Sequence, residues 1–393
     1  MTDSSTAKTE RIDMCGTVGY VTGLGVKKRV LAACITLILV PLCVEGVLRL
    51  RQFVKHGTLA ISPYKLKFDP KLGFNVPVPG KSSKAIWINS LGFRSPELAT
   101  PKPPNTIRVA FLGASTTFCG EVNSNSATWP GQVARALQSK WPDARFDYLN
   151  AAVPAITLSQ SLANLTYRVK PQQPDVIIVY QGDLTADTRK LAEQQGLPTG
   201  RIGPGDDLAS WSLAWDLVCK NLRRTSRVRS VQNTKRLQFD VSMLDKGEYP
   251  THLRALLYMA KSMAPVVAVA TLSIKARRNQ PAEEQLRALQ WAIYYTPFMT
   301  PDAIIRGYEE YNHIIRTLAQ ETSVTLVADE DSIPGDDEHF KDAVHFTDAG
   351  CVLMAGRVVT ALAHSTAFQR LIQEHRYLRA SPTSRSTVTE TGL

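Results

Sequence analysis

The sequence has few cysteines and no arrangement of them that suits a metal ion. Its six cysteines are spread over 393 residues, and none belongs to a C-x-x-C motif or a Cys/His cluster. This spacing excludes the common structural zinc sites, and we predict neither a metal nor a cofactor. One disulfide among Cys119, Cys219 and Cys351 is open if they lie outside the cytoplasm, but buried free thiols are the interpretation that we favour.

The motifs of nucleic-acid-binding proteins are also missing, although the chain is basic. Its 46 Lys and Arg residues against 35 Asp and Glu residues give a formal net charge of +11. The basic residues are scattered apart from one cluster, and no zinc-finger, RNP or helix-turn-helix pattern accompanies them. We predict no nucleic-acid partner, and a surface facing anionic lipid or an acidic polysaccharide suits this charge better.

One long hydrophobic run lies near the amino terminus. Residues 30–50 follow a basic triplet and are apolar except for Glu45 and Arg49, which are spaced to pair with each other at a bilayer interface. A bilayer-spanning helix needs about 20 such residues. A cleaved signal peptide is the alternative, and the long leader without a small-x-small site disfavours it. The triplet predicts a cytoplasmic segment 1–29, a single-pass anchor at 30–50 and a domain on the periplasmic side.

Strand-like and helix-like segments alternate through the rest of the chain. The strand-like runs are 107–112, 146–151, 175–180, 265–271 and 323–328. The helical patterns fall near 128–140, 158–169, 251–263, 282–295, 302–321 and 347–375. This alternation predicts a parallel sheet with helices on both faces and a site at the carboxyl ends of the strands.

Composition divides the chain further. Residues 51–105 are punctuated by Pro and Gly and are predicted to be a linker and lead-in to one α/β domain at 106–378. An insertion at 185–248 combines Trp211 and Trp215 with a basic run. It is either a membrane-surface lid, an anionic-glycan groove or a solvated helix that caps the domain. Residues 379–393 have the composition of a disordered tail.

Two segments at opposite ends of this domain carry residues for nucleophilic catalysis. Ser115 follows the apolar run 107–112, where a strand-to-helix turn can expose a hydroxyl at the sheet edge. Asp342 and His345 are three residues apart, so the carboxylate can orient the imidazole. A serine becomes a good nucleophile when a histidine takes its proton and a third group fixes the tautomer of that histidine. The segments predict a serine hydrolase or acyltransferase.

These residues resemble the SGNH/GDSL hydrolase superfamily. Gly113-Ala114-Ser115 resembles its nucleophile block, with Ala114 in place of the usual aspartate, and Asp342-Ala343-Val344-His345 resembles its last block. The lead-in Asn89-Ser90-Leu91-Gly92-Phe93-Arg94 is similar to that of membrane-anchored bacterial members. The resemblance implies a flavodoxin-like three-layer α/β/α sandwich with a parallel sheet.

The same resemblance implies an oxyanion hole, with departures in this chain. Ser115 donates its own N–H, and Ala152 in Asn150-Ala151-Ala152 stands where the family has a glycine. The asparagine of the third block is missing, and Gln181 and Gly182 are the candidates there. Three interpretations stay open: an enzyme with a rebuilt oxyanion hole, a slow enzyme, or a relative that only binds. We favour the first.

The predicted function follows from the triad and the resemblance. We expect a membrane-anchored serine esterase or O-acyltransferase that acts on short acyl esters such as acetyl, on an envelope or secreted carbohydrate. The alternatives are a glycan-binding or assembly protein and a lipase or phospholipase. The sequence identifies no protein partner.

Overall fold

The computed structural model describes residues 26–182, 184–197, 199, 211–233 and 239–380. The predictions made for residues 1–25 and 381–393, and for parts of the 185–248 insertion, lie outside the described residues.

A five-stranded parallel sheet forms the centre of the described chain. Its strands stand in the order β6-β5-β7-β8-β9. They are β5 (Thr106–Gly113), β6 (Arg145–Asn150), β7 (Val176–Tyr180), β8 (Val266–Ala270) and β9 (Thr325–Val327). Counted within the sheet, this order is 2-1-3-4-5, which is that of flavodoxin-like doubly wound folds. The prediction of an α/β fold with a parallel sheet is confirmed.

Helices cover both faces of the sheet, which explains why β7 and β8 are continuous apolar runs buried at every residue. Among the described residues, the helices of the domain are α2 (Ser115–Phe118), α3 (Trp129–Lys140), α4 (Leu158–Asn164), α5 (Leu184–Gln194), α6 (Leu213–Asn233), α7 (Glu248–Lys261), α8 (Ala282–Ala288), α9 (Gln290–Tyr295), α10 (Pro301–Thr322), α11 (Asp348–His364) and α12 (Thr366–Ala380). In one group α3 packs against α11, and in another α4 and α10 pack against α7.

Two helices predicted as continuous are broken in the structure. The pattern at 347–375 is interrupted at Ser365, whose extended backbone separates α11 from α12 and whose hydroxyl meets that of Thr325 on β9. The pattern at 282–295 is interrupted at Leu289, which lies between α8 and α9. Both interruptions keep the apolar period, so the sequence pattern alone did not reveal them.

The segment predicted as a linker is folded against the domain. It contains two antiparallel hairpins, β1 (Leu66–Asp69) with β2 (Phe74–Pro77) and β3 (Gly80–Lys81) with β4 (Trp87–Ile88). Phe93 and Arg94 after them are almost completely buried. The stretch 51–105 therefore contributes to the packed structure instead of only connecting it.

The apolar run near the amino terminus is a single helix, α1 (Val26–His56). It is long and apolar enough to cross a bilayer, and a signal sequence meets the same criteria. Its residues from Lys28 to Val44 are all exposed, whereas Glu45, Leu48 and Arg49 are partly covered by the domain. The helix thus leaves the folded domain at about Glu45.

The cysteines of the described chain are free thiols. The Sγ atoms of Cys119 and Cys351 are buried 3.9 Å apart, which is beyond the length of a disulfide bond. Cys219 is half-buried on α6.

Candidate active site

The structure brings the three predicted side chains together at the carboxyl end of the sheet. Ser115 Oγ lies 2.8 Å from His345 Nε2, and His345 Nδ1 lies 2.8 Å from Asp342 Oδ2. The first pair joins residues 230 positions apart in the sequence. All three side chains are partly exposed, so a substrate can reach them. The arrangement is that of a nucleophile, a base and a group that orients the base.

The turn that presents Ser115 depends on a glycine at the end of β5. A Cβ on Gly113 would lie 2.2 Å from Thr117 Oγ1 and 2.3 Å from the Tyr180 carbonyl oxygen, so no larger residue fits. The Thr117 hydroxyl donates to that carbonyl at 2.7 Å, and Asn150 Nδ2 donates to the Thr117 carbonyl at 2.9 Å. The start of α2 is therefore held by the ends of both neighbouring strands.

A buried arginine holds the other end of α2. The Arg94 guanidinium donates to the carbonyl oxygens of Phe118 (2.8 Å) and Cys119, and to that of Ala85 at 3.1 Å. Its Nε donates to Asn125 Oδ1 at 3.1 Å. Burial lowers the pKa of Arg94 to about 10, so it remains charged at neutral pH. The lead-in motif recognised in the sequence thus supplies the group that fixes the carboxyl end of the nucleophile helix.

The aspartate and histidine belong to a tight turn before α11. Asp342 Oδ1 accepts from the backbone N–H groups of Val344 and His345, both at 3.0 Å. The Lys341 N–H donates to the His345 carbonyl at 2.7 Å, which closes the turn. The same carboxylate therefore shapes the loop and orients the imidazole.

Charge and burial act in opposite directions on this pair. Burial raises the pKa of Asp342, but its hydrogen bond to the His345 ring, the charge of that ring and the two backbone donors outweigh burial, and the pKa is lowered. Burial lowers the pKa of His345, but the hydrogen bond and charge of Asp342 outweigh it, and the pKa is raised. The carboxylate stays ionised and the imidazole is a stronger base than usual.

The groups predicted for the oxyanion hole are mostly engaged elsewhere. The Ala152 N–H donates to Asn150 Oδ1 at 3.2 Å, and Ala152 is buried beside Ile86, Ile88 and Phe118. The expectation that this N–H faces the oxyanion is therefore corrected. The side-chain oxygen of Asn150 thus accepts a hydrogen bond from the Ala152 N–H, which the family resemblance implies as a donor to the oxyanion.

Gln181 likewise turns into the protein. Its Oε1 accepts from the Ser161 hydroxyl at 2.7 Å, and its Nε2 donates to the Ile156 carbonyl at 3.1 Å. The side chain is only 2% exposed. The suggestion that its amide replaces the missing asparagine is corrected, because the amide donates to a carbonyl of the loop after β6 instead. Gly182 packs against Leu272, and its N–H remains a predicted donor.

The same loop contains a residue that the sequence analysis did not single out as functional. Ala155 has a left-handed backbone, with φ of 62°, and is exposed. Its neighbours Val153 and Ile156 pack in a small cluster with Ala114, the residue before the serine. A left-handed backbone is unfavourable for alanine and signals a constrained, often functional position. A glycine there would have marked the turn in the sequence, whereas alanine hid it.

Within the part of the chain that the structure describes, no group of three or more His, Cys, Asp or Glu side chains is arranged to hold a metal ion. His339 pairs with Asp336 at 2.7 Å, away from the Ser115 contact, as expected for a residue outside the triad.

Comparisons with known proteins yield distant structural neighbours. No family model matches the chain, and no curated protein matches it. One solved structure similar to it is Axe2, an acetylxylan esterase from Geobacillus stearothermophilus, with 15% identity, a TM-score of 0.39 and coverage of 65% of this chain and 93% of the other. Another is LAE5, an alpha/beta hydrolase enzyme from the metagenome of Lake Arreo, with 14% identity, a TM-score of 0.39 and coverage of 65% and 94%. These likenesses are too distant to establish the activity of this chain.

Proposed function

We propose that the chain is a serine hydrolase of the SGNH/GDSL type. Ser115 is the nucleophile, His345 the general base and Asp342 the group that orients the imidazole. The observation that carries the proposal is the pair of 2.8 Å contacts that link these side chains in this order. The strand order and the position of Ser115 after the first strand of the sheet support it.

In the proposed reaction, His345 Nε2 takes the proton of Ser115 Oγ as this oxygen bonds to the carbonyl carbon of an ester. The tetrahedral intermediate then expels the alcohol, which receives the proton from His345. Water attacks the acyl-enzyme with His345 again acting as base, which releases the carboxylic acid and restores Ser115. A carbohydrate hydroxyl in place of water makes the same chemistry an O-acyl transfer.

For the oxyanion we assign the N–H groups of Ser115 and Ala155, with that of Gly182 as a third donor. Ala155 is exposed, and the nearby Val153 and Ile156 belong to the same small apolar cluster as Ala114, the residue before Ser115. Each preorganised donor typically contributes about 2.7–4 kcal/mol to the transition state. A set of backbone donors makes an asparagine in the third block unnecessary, which favours an enzyme with a rebuilt oxyanion hole.

The substrate and the location are the less direct parts of the proposal. We propose short acyl esters, such as acetyl, on an envelope or secreted carbohydrate as the substrate, following the family resemblance. We also propose that α1 is a single-pass anchor, with the catalytic domain on the periplasmic side. The exposure of every residue from Lys28 to Val44 supports an anchor, because lipid covers such a surface.

A second function, binding without catalysis, is favoured by one observation. The Ala152 N–H and the Gln181 amide, which the family comparison places at the oxyanion, are both turned to internal partners. A glycan-binding relative needs no oxyanion hole. The triad geometry weighs against it, because a binder has no use for a base hydrogen-bonded to a serine.

Labelling of the full chain in detergent with a fluorophosphonate probe, together with hydrolysis of a short acetyl ester, tests the proposal. Ser115→Ala is expected to abolish labelling and to lower turnover by about 10³-fold or more. Ser126→Ala is a matched control, because Ser126 is an exposed serine on the loop before α3. Folded wild-type protein with neither labelling nor turnover would favour the binding function.

A further inference from the structure

The helix of the insertion and the turn before it carry an apolar stripe. Trp211, Trp215, Val218 and Leu222 are spaced by four, three and four residues, and their exposures are 81%, 45%, 52% and 66%. Trp211 lies two residues before α6 begins at Leu213, and Trp215, Val218 and Leu222 fall within about 60° of one another on that helix. A helix on the surface of a soluble protein normally turns its apolar side inward. This stripe faces outward instead.

Two arginines on the opposite side of α6 face the domain. The Arg224 guanidinium lies 5.0 Å from the centre of the Trp291 ring, and that of Arg227 lies 4.8 Å from the Tyr294 ring. Arg227 also donates to the Tyr294 carbonyl. These arginines pack on α9, so α6 turns charged residues toward the domain and apolar residues outward. A solvated surface helix has the opposite arrangement. The interpretation of a solvated helix capping the domain is thereby disfavoured.

The start of this stripe is bonded to α1. The Glu45 carboxylate accepts from the N–H groups of Leu213 and Ala214 at 3.0 and 2.9 Å. Arg49 pairs with Glu45 at 2.6 Å and donates to the Trp211 carbonyl at 2.7 Å. Residues that we expected only to pair with each other at the interface thus cap the amino terminus of α6.

α1 stays bare on the side that faces away from α6. Val47, Leu50 and Val54 are spaced by three and four residues and are exposed, whereas Leu48 and Arg49 are partly covered. With about 100° per residue, these three exposed positions lie opposite Glu45 and Arg49, which contact α6. The helix therefore keeps an exposed apolar side beyond the point where it contacts the domain.

We propose that this stripe is a membrane-seating surface, which lies in the interfacial layer of the bilayer that α1 crosses. The surface consists of Trp211, Trp215, Val218 and Leu222. This inference rests on the anchor in the proposed function and adds a second element, α6, to it. The catalytic domain is then held against the bilayer instead of swinging on a tether.

The position of the stripe identifies lipid as its occupant. The stripe begins beside Glu45 and Arg49, where the apolar helix that is long enough to span a bilayer leaves the domain. Tryptophan at the start of the stripe suits the membrane interface.

Fluorescence quenching tests the surface directly. The full chain is placed in nanodiscs of anionic lipid with and without acyl chains brominated close to the headgroup. We expect bromolipid to quench the wild type, and Trp211→Phe with Trp215→Phe to remove most of the quenchable fluorescence. Trp87→Phe is the matched control, because Trp87 is 49% exposed but lies on β4 outside the surface. Fluorophosphonate labelling of each variant verifies that it is folded.

A second pair of variants links the surface to turnover. Val218→Gln with Leu222→Gln is expected to lower turnover of a vesicle-embedded ester several-fold and to leave that of a soluble acetyl ester unchanged. Tyr167→Gln with Tyr258→Gln, two exposed aromatic positions elsewhere on the domain, is the control.

Two outcomes would overturn the inference. One is full quenching in the Trp211→Phe and Trp215→Phe variant. The other is two copies per nanodisc that separate on Val218→Gln with Leu222→Gln, since a second copy then covers the stripe. Release of the wild type from membranes by alkaline carbonate is a separate result, because it contradicts the anchor in the proposed function and not the stripe alone. Loss of labelling in every variant, including wild type, contradicts the catalytic proposal instead.

Discussion

The two halves of the candidate site are built in opposite ways, although both lie at the same edge of the sheet. Near Ser115, the side chains of Thr117, Asn150 and Arg94 form hydrogen bonds that fix α2. On the oxyanion side, the Ala152 N–H and the Gln181 amide form hydrogen bonds that hold the loop after β6. On the oxyanion side, these two groups differ from what the family resemblance implies, whereas the N–H groups of Ser115 and Gly182 stay predicted donors.

The difference teaches where substitution is tolerated. A nucleophile needs one hydroxyl in one place, so its supports are specific side chains that converge on a short helix. An oxyanion needs only N–H donors, which every residue except proline carries. The donor positions can therefore move along the backbone, and the side chains around them become free to serve packing. The predictions below separate these two halves.

The largest expected effect is on the orientation of the base. Asp342→Asn is expected to lower kcat by about 10⁴-fold, because the imidazole loses its orienting carboxylate. The raised pKa of His345 also depends on this carboxylate, while burial lowers it. The wild type should therefore lose kcat/KM as the pH falls through a value above the usual 6.5, and the variant's acid limb should shift to lower pH. Wild-type and variant pH profiles that coincide would contradict this assignment.

The next effect tests the support of the nucleophile helix. Arg94→Lys keeps the charge but cannot reach the Phe118, Cys119 and Ala85 carbonyls together, so α2 should shift. A misplacement of about 1 Å can cost 10²-fold in rate, and we expect a loss of about 10- to 100-fold in kcat. Arg108→Lys is the matched control, because Arg108 is equally buried but pairs with Asp147 at the far end of β5.

In that control, thermal stability should fall while kcat is retained. Equal losses of kcat in both lysine variants would show that Arg94 only stabilises the fold.

A smaller effect separates the oxyanion side from catalysis. Gln181→Met removes the partners of the Ser161 hydroxyl and the Ile156 carbonyl, which is expected to lower the free energy of unfolding by about 1–3 kcal/mol. Because the amide points away from Ser115, kcat should stay within about twofold of the wild type at a temperature where both are folded. A 10²-fold loss of kcat with unchanged stability would return Gln181 to the oxyanion hole.

The smallest expected effect concerns Ala155. Ala155→Gly relieves the left-handed backbone, whose strain is about 1–2 kcal/mol for a non-glycine residue, and retains the proposed N–H donor. Denaturant unfolding should show a gain of up to about 1 kcal/mol, with acetyl-ester turnover kept or raised. Ala152→Gly, where no left-handed backbone is involved, should be neutral or destabilising. The opposite ranking of the two variants would contradict the proposed role of this turn.

Much of the fold followed from periodicity. Both ends of all five strands of the parallel sheet were predicted to within two residues, because a buried parallel strand is a short apolar run bounded by polar residues. The helix α5 was missed, because it lies in a segment judged by composition, whereas a helix such as α6 was one of the interpretations of that segment. The helix breaks at Leu289 and Ser365 were missed because neither is a proline or glycine.

The sequence by itself determined which candidate reactive groups the chain carries, because a serine after a strand and an Asp-x-x-His turn are local features that residue types and spacing define. Tertiary structure alone decided what surrounds them. Arg94 reaches α2 across 24 positions and Glu45 reaches α6 across 168, and no local pattern announces such contacts. The inward orientation of Gln181 depends on its hydrogen bonds to Ser161 and Ile156, which lie 20 and 25 positions away in the sequence. Residue identity sets the reactive groups, whereas the hydrogen-bond partners of each group in the folded protein come from distant parts of the chain.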